Sequence, residues 1–207
     1  MSDQLRYWAL KLNALAQTGL TYARDPYDRQ RYDEIRIIAA EMVATQTGQD
    51  AQRIATLFAL EGGYATPKVG VRAIVVDTDG AFLLVQERSD GHWCPPGGWA
   101  DVGETPAAMA IREVREESGY DVAVERVLAV LDRDAQGHPP IGWHVYTVYL
   151  LCRVVGGAPR APDAEITAVG WFRLDALPPL SHDRVFAEQL ERFATLAADP
   201  SAPVWYD

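Results

Sequence analysis

The 207-residue sequence predicts an α+β fold, a mixed β-sheet between helical layers preceded by a small helical domain. Three observations carry this. The first sixty or so residues repeat apolar side chains at helical spacing between cap signals. At Lys68 the pattern changes to β-branched runs broken by turns. Two capped amphipathic segments, one central and one terminal, interrupt and close those runs.

Taken in order, residues 3–19 place Leu5, Trp8, Leu12, Leu15 and Ala16 on one side of a helix that Thr18-Gly19 ends. Asp25-Pro26 opens a second helix with an N-cap and a proline. Its apolar positions are Tyr32, Ile35, Ile38, Ala39, Met42 and Val43, and Gly48 stops it. A third helix covers 50–60, with Ile54, Leu57 and Phe58 inward. Three helices of this size make too small a core to stand alone, so the domain expected over 1–61 should pack on the next domain or on a second subunit. Residues 62–67, Gly-Gly-Tyr-Ala-Thr-Pro, read as a linker.

In the second domain, 68–207, Val69–Val76 and Ala81–Glu87 read as strands of a hairpin around Asp77-Thr78-Asp79-Gly80. Residues 122–133, 143–155 and 166–173 read as further strands, with a loop over 134–142. A last helix near 183–197 carries Val185, Phe186, Leu190 and Phe193. Between the strands, Thr105 is an N-cap, Pro106 a first helical residue and Gly119 a stop, so a helix spans 106–118. Ala107, Ile111 and Val114 form its expected apolar stripe.

Composition narrows the functional classes. The net charge of −10 argues against bulk binding to nucleic acid or anionic membrane, both of which want a basic face. Two cysteines, Cys94 and Cys152, make neither a disulfide framework nor a zinc site. The N-terminus lacks a signal-peptide pattern and no apolar run is long enough to span a bilayer. A cytoplasmic protein is the expectation.

The charges of the central helix are the chemical signal. Glu113, Glu116 and Glu117 lie at i, i+3 and i+4, on neighbouring positions of the last two turns. Carboxylates are disfavoured there by about 0.3–1 kcal/mol each, because the helix dipole is negative at that end. Arg112 and Arg115 relieve part of the repulsion, and Glu104 adds to it from the preceding loop. A hard divalent cation, which takes oxygen ligands and shares them with substrate phosphates, would neutralise such a cluster.

The spacing is specific. Gly98, five residues, Glu104, seven residues, then Arg112-Glu113-Val114-x-Glu116-Glu117-x-Gly119-Tyr120 resembles the Nudix box. At ordinary residue frequencies a chance match has odds of roughly one in a million. Tyr120 departs from the aliphatic residue commoner at its position. The resemblance covers roughly 68–198 and implies an α/β/α sandwich that hydrolyses a phosphoric anhydride. Residues 8–43 resemble the helical extension of a Nudix subgroup that acts on CDP-choline or ADP-ribose as homodimers.

What the resemblance implies is assigned position by position. Glu113, Glu116 and Glu117 hold Mg²⁺ or Mn²⁺, Glu116 and Glu117 as direct ligands, with Gly98 offering its carbonyl and Glu104 standing behind the ligands or reaching the metal site through water. Arg112 orients the glutamates through charge-assisted hydrogen bonds. The general base is a box glutamate or an acid on the loop before a late strand. There Asp163 and Glu165 are the candidates, Glu165 the better placed because the strand follows it directly. Trp93, Trp99, Trp143, His144 and Tyr146 are candidate platforms for the substrate's organic part, with Arg72 and Arg88 for its phosphates. The substrate expected first is CDP-choline, cleaved to CMP and phosphocholine, with ADP-ribose the alternative. RNA-directed activity fits the acidic charge poorly. A non-catalytic nucleotide-binding regulator on the same fold would not need every box glutamate, and all are here.

Overall fold

A computed structural model describes residues 3–139 and 141–207. The chain divides into two units, residues up to Pro67 together with Gly142–His144, and Lys68–Ile141 with Val145–Asp207.

The first unit has three helices, α1 (Asp3–Tyr22), α2 (Pro26–Thr47) and α3 (Ala51–Ala59). The caps form as the residue types require. Asp25 accepts hydrogen bonds from the Tyr27 and Asp28 amides, Asp50 accepts from Arg53, and Gly48 closes α2 in the left-handed conformation. Helix α1 does not stop at Thr18-Gly19. It runs on to Tyr22, and Gly19 serves packing instead, since a Cβ there would lie 2.4 Å from the Tyr32 ring. The core is small: Ala39, Ala40, Ile54 and Phe58 with partly buried neighbours. Trp8, Leu15, Ile38 and Leu57, expected inward, are exposed. The helical stripes are wider than three short helices can cover. Residues 62–67 are irregular, tied to α1 by Gln17 and Thr21 donating to the Gly63 carbonyl and by the Ala65 amide donating to Thr18.

The second unit is a sandwich. Strand β1 (Lys68–Val75) pairs in parallel with β6 (Val145–Gly157), which pairs antiparallel with β5 (Tyr120–Asp132). Two short strands complete this sheet, β4 (Gly97–Trp99) beside β1 and β8 (Trp205–Tyr206) beside β5. A second sheet orders β3 (Trp93–Cys94), β2 (Phe82–Glu87) and β7 (Ile166–Phe172). Thus the expected single sheet is two, and the expected hairpin is only a bridge. Val76 pairs with Phe82, after which β1 and β2 diverge into different sheets. Turn residues at 77–80 set the reversal, but tertiary packing decides the partners.

Helices cover both faces of the larger sheet. Val71, Ala73 and Val75 alternate to one face with Leu150 and Cys152, packing on Met109, Ala110 and Val114 of α4 (Pro106–Ser118). Ile74, Tyr149 and Leu151 point the other way, toward Leu190 and Phe193 of α5 (Ala187–Ala198). Each such buried side chain contributes about 1.5–3 kcal/mol. The stripe expected on α4 is rotated: Ala107 and Ile111 are exposed, and Met109, Ala110, Val114, Glu117 and Ser118 are buried. Val185 and Phe186 precede α5 rather than lying in it, and Trp143 precedes β6.

Candidate functional site

Helix α4 fixes the site. Thr105 accepts from the Ala108 amide at its start, and Gly119, at φ 84°, caps its end. Tyr120, the departure from the box pattern, opens β5 and packs edge-on to Trp171, whose indole N–H donates to the Tyr120 hydroxyl at 3.2 Å. An aromatic residue is favoured there because it has a ring partner and a hydrogen bond.

The acids divide by burial. Glu104 and Glu116 face solvent, Glu113 is half-buried, and Glu117 is 6% exposed. Arg112 joins them. It donates to Glu104 at 2.9 Å, to Glu116 at 2.9 Å and to Asp101 at 3.1 Å, and its guanidinium lies 3.1 Å from Glu113. The planar fork of arginine can serve several carboxylates at once, which lysine cannot. The guanidinium hydrogen bond holds the Glu104 carboxyl below its ordinary range.

Glu117 is the unusual member. Burial pushes its carboxyl up to about 8, although Arg72 and a 3.0 Å hydrogen bond from the Gly97 amide favour its charged form and Glu113 and Glu87 oppose it. Burial also raises Glu113, and Arg112 opposes the rise. The backbone comes close to these acids at paired glycines. A Cβ on Gly97 would lie 2.1 Å from the Val71 carbonyl, so only glycine fits. One on Gly98 would lie 3.3 Å from Glu113 Oε1. Two carboxylates held in proton-retaining surroundings against a bare backbone offer oxygen donors only. That donor set suits a hard divalent cation, whose charge would replace the retained protons.

A cavity of about 360 Å³ opens beside the glycines. Gly97, Gly98 and Trp99 form one lip, and Arg72, Thr147 and Tyr149 form a floor on the sheet. Arg133 and His138 enter from the β5–β6 loop, Asp183 and Arg184 from the segment before α5, and Glu87 from the end of β2. The volume lies within the range of about 300–1,000 Å³ usual for small-molecule sites. Arg72 donates to the Pro95 carbonyl at 2.6 Å, which holds the turn leading to Gly97. His138 donates from Nδ1 to the His182 carbonyl at 2.7 Å and lies flat on Phe186, with ring centres 4.5 Å apart. Burial lowers its pKa below the ordinary value, against the opposing hydrogen bond to the His182 carbonyl. Cys94 is buried, and its thiol is pushed up to about 12, which makes it inert as a nucleophile.

The other expected residues separate. Glu165 is exposed and lines the cavity. Its proximity also raises Glu113, after the larger effects of burial, Arg112 and Glu116. Asp163 is spent on the turn, accepting the Glu165 and Ile166 amides at 2.8 and 2.7 Å and pairing with Arg160 at 2.9 Å. Arg88 lies outside the cavity lining and clamps the same turn, donating to the carbonyls of Asp163 and Ala164 at 2.6 and 3.0 Å. Trp143 and His144 belong to the short segment grouped with the helical unit. Sequence reasoning missed Glu87, Arg133, Asp183 and Arg184. The one available signal was a charged residue ending an apolar strand, in Phe82–Glu87 and again at Arg133 after β5.

With this geometry in view, comparison with known proteins is direct. Residues 3–58 match the family described as UDP-X-like, N-terminal oligomerisation domain, and residues 66–193 match the NUDIX domain. The putative ADP-ribose pyrophosphatase YjhB of Bacillus subtilis (strain 168) is 37% identical over 199 residues, 96% of this chain and 95% of that protein. A crystal structure of a UDP-X diphosphatase is 29% identical with a TM-score of 0.64, against 0.62 for a second solved structure, and it covers 99% of this chain and 98% of its own. The second, an ADP-ribose pyrophosphatase from Streptococcus suis, is 39% identical and covers 69% of this chain and 100% of its own. Among the described residues no helix is long and apolar enough to cross a membrane. The matches extend over both units and the box alike, and the chain belongs to the Nudix family.

Proposed function

We propose that this protein is a divalent-cation-dependent pyrophosphohydrolase that splits a nucleoside diphosphate linked to a second group, releasing a nucleoside monophosphate and the phosphorylated partner. The observation that carries it is the pair Glu113 and Glu117, held against Gly97 and Gly98 at the lip of a cavity of about 360 Å³.

Glu113, Glu116 and Glu117, with the Gly98 carbonyl, would hold Mg²⁺ or Mn²⁺. When bound, such a cation screens the diphosphate and lowers the pKa of water. Arg112 fixes the glutamates through three ion pairs, is itself held by a fourth to Asp101, and keeps Glu104 close enough to complete the cluster. Glu165 accepts the proton of the attacking water, and Arg88 positions it by holding its turn. Arg72, charged at the cavity floor, adds a positive potential for the phosphates.

Of the two substrates considered, ADP-ribose has the better support, since YjhB, matched over both units, is named a putative ADP-ribose pyrophosphatase and the Streptococcus suis structure, which covers 69% of this chain, carries the same activity in its name. The helical unit makes the homodimer, through apolar residues left on its surface and in line with the oligomerisation domain it matches.

The test is turnover of ADP-ribose, CDP-choline and UDP-linked sugars with Mg²⁺ and with Mn²⁺ in ¹⁸O water. Cation-dependent formation of a nucleoside monophosphate, with label on one product phosphate, is expected. Turnover that survives chelation, or activity confined to nucleoside triphosphates, would overturn the reading.

A further inference from the structure

The cavity beside the box acids has a wall that the proposed chemistry does not use. Two ion pairs build it. Arg133 reaches Asp183 at 3.3 Å, and Arg184 reaches Glu87 at 3.1 Å. Arg133 and Glu87 are 8% and 7% exposed, so two charges have been taken almost out of water. Burial of that kind costs several kcal/mol per ion before pairing. A fold that needed only stability would do as well with apolar residues.

The arrangement is also rigid. Arg184 is braced from behind by Asp90 at 3.1 Å and by the Ser181 hydroxyl at 2.9 Å. The His138 ring beside Arg133 has both nitrogens engaged, Nδ1 with the His182 carbonyl and Nε2 with the Gln189 amide at 3.3 Å. It is therefore a fixed neutral wall and not a base.

We propose that the Arg133–Asp183 and Arg184–Glu87 pairs form a subsite for a hydroxyl-rich sugar, the group joined to the nucleoside diphosphate, with Arg133 and Asp183 as its specificity-determining residues. This rests on the reading of the cavity as the substrate's site. A sugar hydroxyl donates and accepts at once. Each pair presents a guanidinium donor beside a carboxylate acceptor, the complement of two adjacent hydroxyls. Thr147 on the cavity floor adds a neutral hydroxyl. A quaternary ammonium group wants aromatic faces. The aromatic rings of the lining other than His138 are Trp99, which is 53% exposed, and the buried Tyr149, too few to cage a quaternary ammonium. A site built to hydrogen-bond hydroxyls also rejects analogues lacking them, because its polar groups would be left unpaired.

The experiment measures binding of ribose 5-phosphate and n-pentyl phosphate to the full chain by isothermal titration. Neither compound can turn over. Wild type should bind the sugar phosphate at least tenfold tighter. Asp183→Asn, which keeps a hydrogen-bond acceptor beside Arg133, and Arg133→Lys, which keeps the positive charge, should each reduce that preference to threefold or less while circular dichroism remains that of the folded wild type. Equal binding of the two phosphates by wild type, or a preference that survives both substitutions, overturns the subsite. Turnover of ADP-ribose, CDP-choline and UDP-linked sugars is followed in parallel. Selective binding without turnover supports the subsite and overturns the pyrophosphohydrolase reading alone.

Discussion

The two units of this chain treat burial in opposite ways. The helical unit buries Ala39, Ala40, Ile54 and Phe58 and leaves Tyr7, Trp8, Leu15 and Tyr22 more than half exposed. The Nudix unit buries two well-separated apolar clusters and, alongside them, Glu87, Glu117 and Arg133. Each departure from apolar-in, polar-out marks a partner. Apolar surface left in water is satisfied by protein, and charge taken out of water is satisfied by an ion or a ligand. The comparison therefore assigns assembly to one unit and chemistry to the other.

The sharpest way to break that assignment is at the acids. Glu116→Gln should cost more than about 10²-fold in kcat, since even groups standing behind metal ligands cost 10–100-fold. Circular dichroism and melting temperature should not change, because Glu116 is exposed. Glu165→Gln should lower kcat by roughly 10²-fold, the usual contribution of a general base, with Mn²⁺ affinity unchanged. Arg112→Lys should weaken Mn²⁺ affinity about 10–100-fold, by freeing Glu104 and Glu116 from one fork.

Glu117 gives a test in stability rather than rate. Its folded-state carboxyl is pushed up to about 8 by burial, above its unfolded value. The folded protein therefore keeps a proton that the unfolded chain releases, and metal-free stability falls as pH rises from about 4.5 through 8. The loss has a ceiling on the order of 5 kcal/mol. Glu117→Gln should flatten that slope in thermal melts taken with chelator, and saturating Mn²⁺ should flatten it in wild type alone. Asp163→Ala is the smallest effect. Loss of its two turn hydrogen bonds should destabilise by about 1–2 kcal/mol, and kcat should fall only as far as Glu165 is displaced. For the helical unit, light scattering should give twice the 22.9 kDa chain mass, and Leu15→Glu with Tyr22→Ser should shift it toward one chain.

Much of the fold and of the candidate site is legible in local signals of the chain. The cap residues Asp25, Gly48, Thr105 and Gly119 act where their chemistry dictates, and the Nudix box falls on the loop and helix its spacing implies. What was hidden depends on tertiary partners. The parallel pairing of β1 with β6 and the parting of β1 from β2 follow from which faces α4 and α5 cover. The same is true of the α4 stripe, which Glu117 and Ser118 share because the site itself lies at the core. Glu87 and Arg133 read as ordinary charges at strand ends, and only folding puts them at one cavity. Gly19 read as a helix stop because its need for space comes from Tyr32, thirteen residues away by the numbering.

The central claim is that the acids of α4 and its loop exist to hold a divalent cation against the diphosphate. Its most direct measurement is Mn²⁺ titration of the wild-type protein and of Glu116→Gln and Glu117→Gln, followed by electron paramagnetic resonance, with and without ADP-ribose. Saturable binding that tightens with the diphosphate and is lost in both folded variants is the predicted result. Binding that is absent from wild type, or unchanged in the two variants, would contradict it.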